Sequence, residues 1–180
     1  LMLKAAELAS KLDLPIIDHC EDFSLSKPGV MHLGEWSRHL NLPGQPREAE
    51  ERIVKRDIEI AAKTGCHMHL QHLSSSGSIK LLREAKQAGI PVTGEVTPHH
   101  LAFTDEIVHR IGSNAKMAPP LREERDRMEL IQGVFDGIID CIATDHAPHL
   151  PAEKFGDSYK TSASGVPMVQ HSLVAMIDLC

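Results

Sequence analysis

Aromatic residues are scarce in this chain: one Trp, one Tyr and four Phe in 180 residues, so any core has to be built from aliphatic side chains. No apolar run approaches the roughly 18–20 residues that a membrane-spanning helix needs, and no stretch has the pattern of a signal peptide. Excess positive charge is missing as well. The 25 acidic and 19 basic residues leave a net charge of -6, which argues against nucleic acid or an anionic membrane as partner. Four cysteines (Cys20, Cys66, Cys141 and Cys180) include no CxxC pair; three sit inside apolar runs, where they are expected to act as small core residues in a reducing compartment. A soluble, cytoplasmic protein of one ordinary domain is the expectation.

Histidine, by contrast, is plentiful, at 12 of 180 residues, and its placement decides whether it means metal or acid–base chemistry. Four short β-like runs, at 14–20 (LPIIDHC), 66–73 (CHMHLQHL), 90–97 (IPVTGEVT) and 138–144 (IIDCIAT), alternate with helical patterns. Helices are expected over 1–12, 46–64, 78–88 and 123–135, with a last one after Gly165; the second begins near Pro46 and stops at Gly65, and Ser76 or Ser78 caps the third. The stretch 21–45, with Pro28, Gly29, Pro43 and Gly44, reads as a long loop with a short helical piece. A βαβαβαβα order implies a parallel sheet covered by helices, and the GxGxxG signal of the open dinucleotide-binding type is absent. The expected fold is α/β, part of a (β/α)8 TIM barrel, since a complete barrel takes about 250 residues. The chain begins at Leu1 in a helical pattern and stops at Cys180 in an apolar one, so it is expected to be one segment of a longer protein.

The C-terminal ends of the four runs are polar: His19, His72, Glu95 with His99 and His100, and Asp145. In a barrel those ends form the active-site mouth. Two imidazoles and a carboxylate from three different strands make a hydrolytic metal site with positions left for water. His67 and His69 alternate away from His72 and are expected to face the helix layer. Glu21 and Asp22 read equally as partners of His19 or as solvated loop charges. The run at 122–127 (REERDR) reads as a solvated helix start.

VTGEVTPHHL, NAKMAPPLRE and above all DCIATDHAPH resemble the dihydroorotases of the amidohydrolase superfamily; IIDHCEDFSL, HMHLQHLSSSGS and AEERIVKRDIEIA fit the same family in the same order. The resemblance spans nearly the whole chain and implies barrel strands five to eight with their helices. It implies that His19, His72 and Asp145 hold zinc, one ion or two, that Asp145 is also the catalytic base, and that His149 binds the substrate carboxylate. The implied reaction interconverts N-carbamoyl-L-aspartate and dihydroorotate in pyrimidine biosynthesis. The partner is then a small-molecule substrate, with a homo-oligomer or a partner enzyme of the same pathway left open. The family's HxH pair of the first strand and its bridging ligand of the fourth are not in this chain; HMH at 67–69 has the letters, but LQHLS fits the sixth strand better. Ala118 stands where dihydroorotases often carry an Asn that touches the ring. Two other readings therefore stay in view: a hydantoinase- or allantoinase-like enzyme, and a catalytically dead dihydroorotase-like scaffold domain.

Overall fold

A computed structural model describes residues 1–155 and 158–179. In chain order the elements are α1 (Met2–Lys11), β1 (Ile16–Asp18), α2 (Phe23–Ser26), β2 (Met31–His32), α3 (Glu35–His39), β3 (Gly44–Gln45), α4 (Glu48–Thr64), β4 (Met68–Leu70) and α5 (Ser76–Gln87). They continue with β5 (Val92–Val96), α6 (Pro98–Ala102), α7 (Ile107–Ile111), α8 (Glu124–Phe135), β6 (Cys141–Ile142), α9 (Pro151–Lys154) and α10 (Ser172–Ile177). The architecture is α/β. The four expected strands form one parallel sheet in the order β1-β4-β5-β6. Its register sets Ile16 beside Met68 and Met68 beside Val92, with Glu95 beside Cys141 at the far edge.

Alternation along the strands separates two faces. Ile16, Met68, Leu70, Val92 and Val96 pack into one aliphatic core with Ala6 of α1, Val54, Ile60 and Ala61 of α4, Ile79 and Leu82 of α5, and Leu130 of α8. Gly94 lies on that side because a Cβ there would come within 2.7 Å of Leu82 and 3.0 Å of Leu73. α4 ends at Gly65, whose φ of 68° supplies the left-handed turn into β4. The opposite face carries Ile17, His69, Thr93, Glu95 and Cys141; Ile17 is 59% exposed there.

Several expectations need correction. His67 and His69 do not face the helix layer. Met68 and Leu70 do, and His69 shares the uncovered face with Thr93. The 21–45 stretch holds two short helices and a two-stranded parallel ribbon, β2 with β3, rather than mainly loop. The cap of α5 is Ser75, whose side chain accepts from the Ser78 N–H. β6 is only two residues long and pairs with β5 alone. Cys20 and Cys66 are buried as expected, but Cys141 is exposed on the uncovered face, and Cys180 lies outside the described residues.

The charge run at 122–127 is not wholly solvated either. Arg122 and Asp126 are 3% and 0% exposed. Arg122 donates to Glu50 Oε2 at 3.3 Å, and Arg47 binds both Asp126 and Glu123. Glu50, at the start of α4, also accepts from the Ser74 and Ser75 amides at 3.0 and 3.1 Å and from Ser78 Oγ at 2.6 Å. Burial pushes its carboxyl pKa up, but Arg122 and the serine donors outweigh that and hold it below its ordinary value.

Candidate active site

His19 leaves β1 one residue past its end, and His72 lies two residues beyond β4. The sheet places β1 beside β4, and the two rings meet edge to face, with His19 Nδ1 2.9 Å from His72 Nε2. The other ring nitrogen of His19 lies 2.8 Å from Glu21 Oε2, and Glu21 is anchored in turn by the Gln45 amide at 3.1 Å. That Glu21 hydrogen bond raises the His19 pKa against the opposing pull of burial. Burial, followed by the neighbouring His19, lowers that of His72. At 2.9 Å the two facing nitrogens share one hydrogen, so one ring donates and the other accepts.

Asp145 lies three residues past β6 and is exposed. Its charge pulls both imidazoles toward protonation, less than the Glu21 contact does at His19 and less than burial opposes it at His72, which stays lowered. Among the described residues, His72 and Asp145 are also two of four non-glycine residues with positive φ, at 34° and 43°. Such conformations cost on the order of 1–3 kcal/mol each and persist where neighbouring structure enforces them. His149 is not in contact with these groups. Its Nε2 lies 2.8 Å from the Ser164 carbonyl, and it is exposed on the loop after β6.

The remaining residues sort by contact. His100 lies between Thr97 Oγ1 at 2.7 Å and the Pro119 carbonyl at 3.1 Å, a structural tie. His99 is buried with neither ring nitrogen partnered. His146 accepts the Val169 amide at 3.1 Å, and Asp22 caps α2 through the Ser24 N–H. Glu95 went without a role in the sequence. Its Oε1 accepts the His72 backbone N–H at 3.2 Å, and its Oε2 lies 3.1 Å from His69 Nε2. The register was the available signal, since residues 69, 93 and 95 share one face.

The two imidazoles fit a divalent metal; among the described residues Asp145 does not form with them a group whose donor atoms all lie within 4.8 Å of one another. Two imidazole nitrogens on one tetrahedral zinc, each bonded at about 2.0–2.1 Å, stand roughly 3.3 Å apart. The observed 2.9 Å separation needs only a small opening of the pair. Among the described residues, the crevice beside these rings encloses about 10 Å³, too little for a small organic ring.

A protein-family model described as dihydro-orotase-like matches residues 1–78. A dihydroorotase from Staphylococcus epidermidis is 51% identical over 154 residues, which is 86% of this chain and 36% of that protein. One from Syntrophus aciditrophicus is 41% identical over 179 residues, or 99% of this chain and 42% of that protein. The chain belongs to the dihydroorotase-like family. It spans well under half the length of these curated relatives. The family fold extends to more distant proteins. L-hydantoinase (dihydropyrimidinase) from Arthrobacter aurescens superposes with a TM-score of 0.86 at 21% identity, covering 98% of this chain and 40% of that one. D-hydantoinase from Thermus sp. gives 0.83 at 23% identity, covering 96% and 39%. No described helix of this family member is long and apolar enough to cross a membrane.

Proposed function

We propose that this chain supplies strands five to eight of a (β/α)8 barrel, and that the intact protein, with the barrel complete, is a zinc-dependent dihydroorotase. The observation that carries the reading is the direct contact of His19 and His72 at the ends of neighbouring strands, with the Asp145 charge acting on both. The remaining strands would close the barrel by pairing at the β1 and β6 edges, making the uncovered face its interior, and would supply the other ligands.

In this reading His19, His72 and Asp145 hold the metal. When bound, zinc polarises the ring carbonyl and makes water a nucleophile near neutral pH. Asp145 accepts the proton of the attacking water and delivers it to the ring nitrogen as the C–N bond breaks, so that hydroxyl ends on carbon and hydrogen on nitrogen. Glu21 keeps the far nitrogen of His19 engaged and so orients the ring. His149 binds the substrate carboxylate by a charge-assisted hydrogen bond once its ring leaves the Ser164 carbonyl. A dead scaffold would have no use for this convergence. Ala118 is the one departure that favours a different ring.

Ring opening by the zinc-loaded intact protein should therefore be compared on dihydroorotate, hydantoin and allantoin. Preferential opening of dihydroorotate is expected. Preference for hydantoin or allantoin would overturn the substrate and leave the metal chemistry, whereas opening of none with no zinc bound would overturn both.

A further inference from the structure

The uncovered face of the sheet carries a row of hydrogen bonds that leads into the candidate site. His67 Nε2 lies 2.9 Å from Thr93 Oγ1, which lies 2.8 Å from His69 Nδ1. His69 Nε2 lies 3.1 Å from Glu95 Oε2, while Glu95 Oε1 accepts the His72 backbone N–H at 3.2 Å. The donors match in one direction. A carboxylate only accepts, so His69 Nε2 carries hydrogen, its Nδ1 accepts from the Thr93 hydroxyl, and the Thr93 oxygen accepts from His67. Glu95 is 9% exposed, so little solvent competes for these contacts. The Glu95 backbone carbonyl also accepts the Leu73 N–H at 2.8 Å, so one residue holds the peptides on both sides of His72.

We infer that Glu95 is a positioning residue for His72. The backbone of His72, at φ 34°, lies in a region that a β-carbon disfavours, and the chain there is off the strand. Backbone bonds from the Gln71 N–H to the Asp18 carbonyl (3.1 Å) and from the Leu73 N–H to the Glu95 carbonyl flank it, while the His72 N–H itself relies on the Glu95 side chain. Glu95 holds that turn through the His72 amide and thereby aims the imidazole at His19. Thr93 and His69 hold the Glu95 carboxylate in place from behind. His69, Glu95 and Cys141 also offer three donor atoms within 4.8 Å of one another. The row assigns them to fixation instead, because both His69 nitrogens and both Glu95 oxygens already have partners. The inference rests on the reading that His72 is a zinc ligand.

The test uses the intact protein with two readouts: zinc affinity by chelator competition, and hydrogen exchange at the His72 amide. Glu95→Leu is expected to weaken zinc by about 10–100-fold, the usual cost of losing a group that orients a ligand, and to speed His72 exchange. Glu95→Gln, which keeps an oxygen opposite the amide, restores most of both. Cys141→Ser leaves both unchanged. Wild-type affinity and exchange in a folded Glu95→Leu variant overturn the inference, as does loss of zinc in Cys141→Ser. If the wild-type protein binds no zinc, the metal reading fails while His72 exchange still decides the positioning role. Should Glu95→Leu not fold, Glu95→Gln near wild type with Thr93→Val weakened supports the role, and equal values for the two overturn it.

Discussion

Asp57 lies on the helix side of the sheet, fully buried against Arg56, with Cys20 Sγ 3.8 Å from its Oδ2. Burial, reinforced by Asp18, raises its carboxyl from an ordinary value of 3.8 to about 7 despite the Arg56 contact. The folded state therefore holds a proton that the unfolded chain releases. The stability this confers is full below the ordinary value and is lost as pH rises through about 7. Asp57→Asn should remove that dependence and raise stability at pH 8, by something on the order of 1–2 kcal/mol. Urea unfolding at pH 5 and pH 8 reads it directly, and an unchanged pH slope in the variant would contradict the assignment. At this same scale the sequence was legible where a residue ends a strand, as at His19, and misleading at His67 and His69. Their orientation was inferred by alternation from His72, but His72 has already left β4 at φ 34°, where alternation no longer holds.

Between elements, the buried Glu50–Arg122 group joins the start of α4 to the Ser75 cap of α5 and to the segment leading into α8. Removing one partner strands a buried charge. Arg122→Met should therefore lower unfolding stability by about 3–5 kcal/mol, and restoring neutrality with Glu50→Gln in the same chain should recover part of it. A single variant within about 0.5 kcal/mol of wild type would show the pair to be solvated after all. Helices α1, α4, α5 and α8 were readable from apolar spacing and from Gly65 and Pro46, because periodicity records which side is buried. The Arg122–Asp126 network was not readable, because a run of alternating charges looks the same whether its partners are water or the residues Glu50 and Arg47, far away in sequence.

Across the whole molecule, one sheet face is sealed by helices while the other presents the exposed Ile17, the His69–Glu95 row and, at its mouth, the His19–His72 pair. That asymmetry is what the (β/α)8 proposal uses: the chain contributes histidines and a carboxylate to a site whose remaining walls come from elsewhere in the barrel. Strand order and the meeting of His19 with His72 were legible from the alternation of elements and from the motifs, whereas among the described residues Asp145 does not join them in a group of donor atoms within 4.8 Å of one another. The loop after β6 was less so, since the tie of His149 to the Ser164 carbonyl joins two loop residues with no periodic pattern between them. The measurement that bears most directly on the central claim is the rate of dihydroorotate ring opening by the zinc-loaded intact protein and by its Asp145→Asn variant. The account predicts a fall of about 10²–10⁴-fold, the usual contribution of a positioned proton-transfer group, with far-ultraviolet circular dichroism unchanged. A folded variant that turns over at the wild-type rate would contradict it.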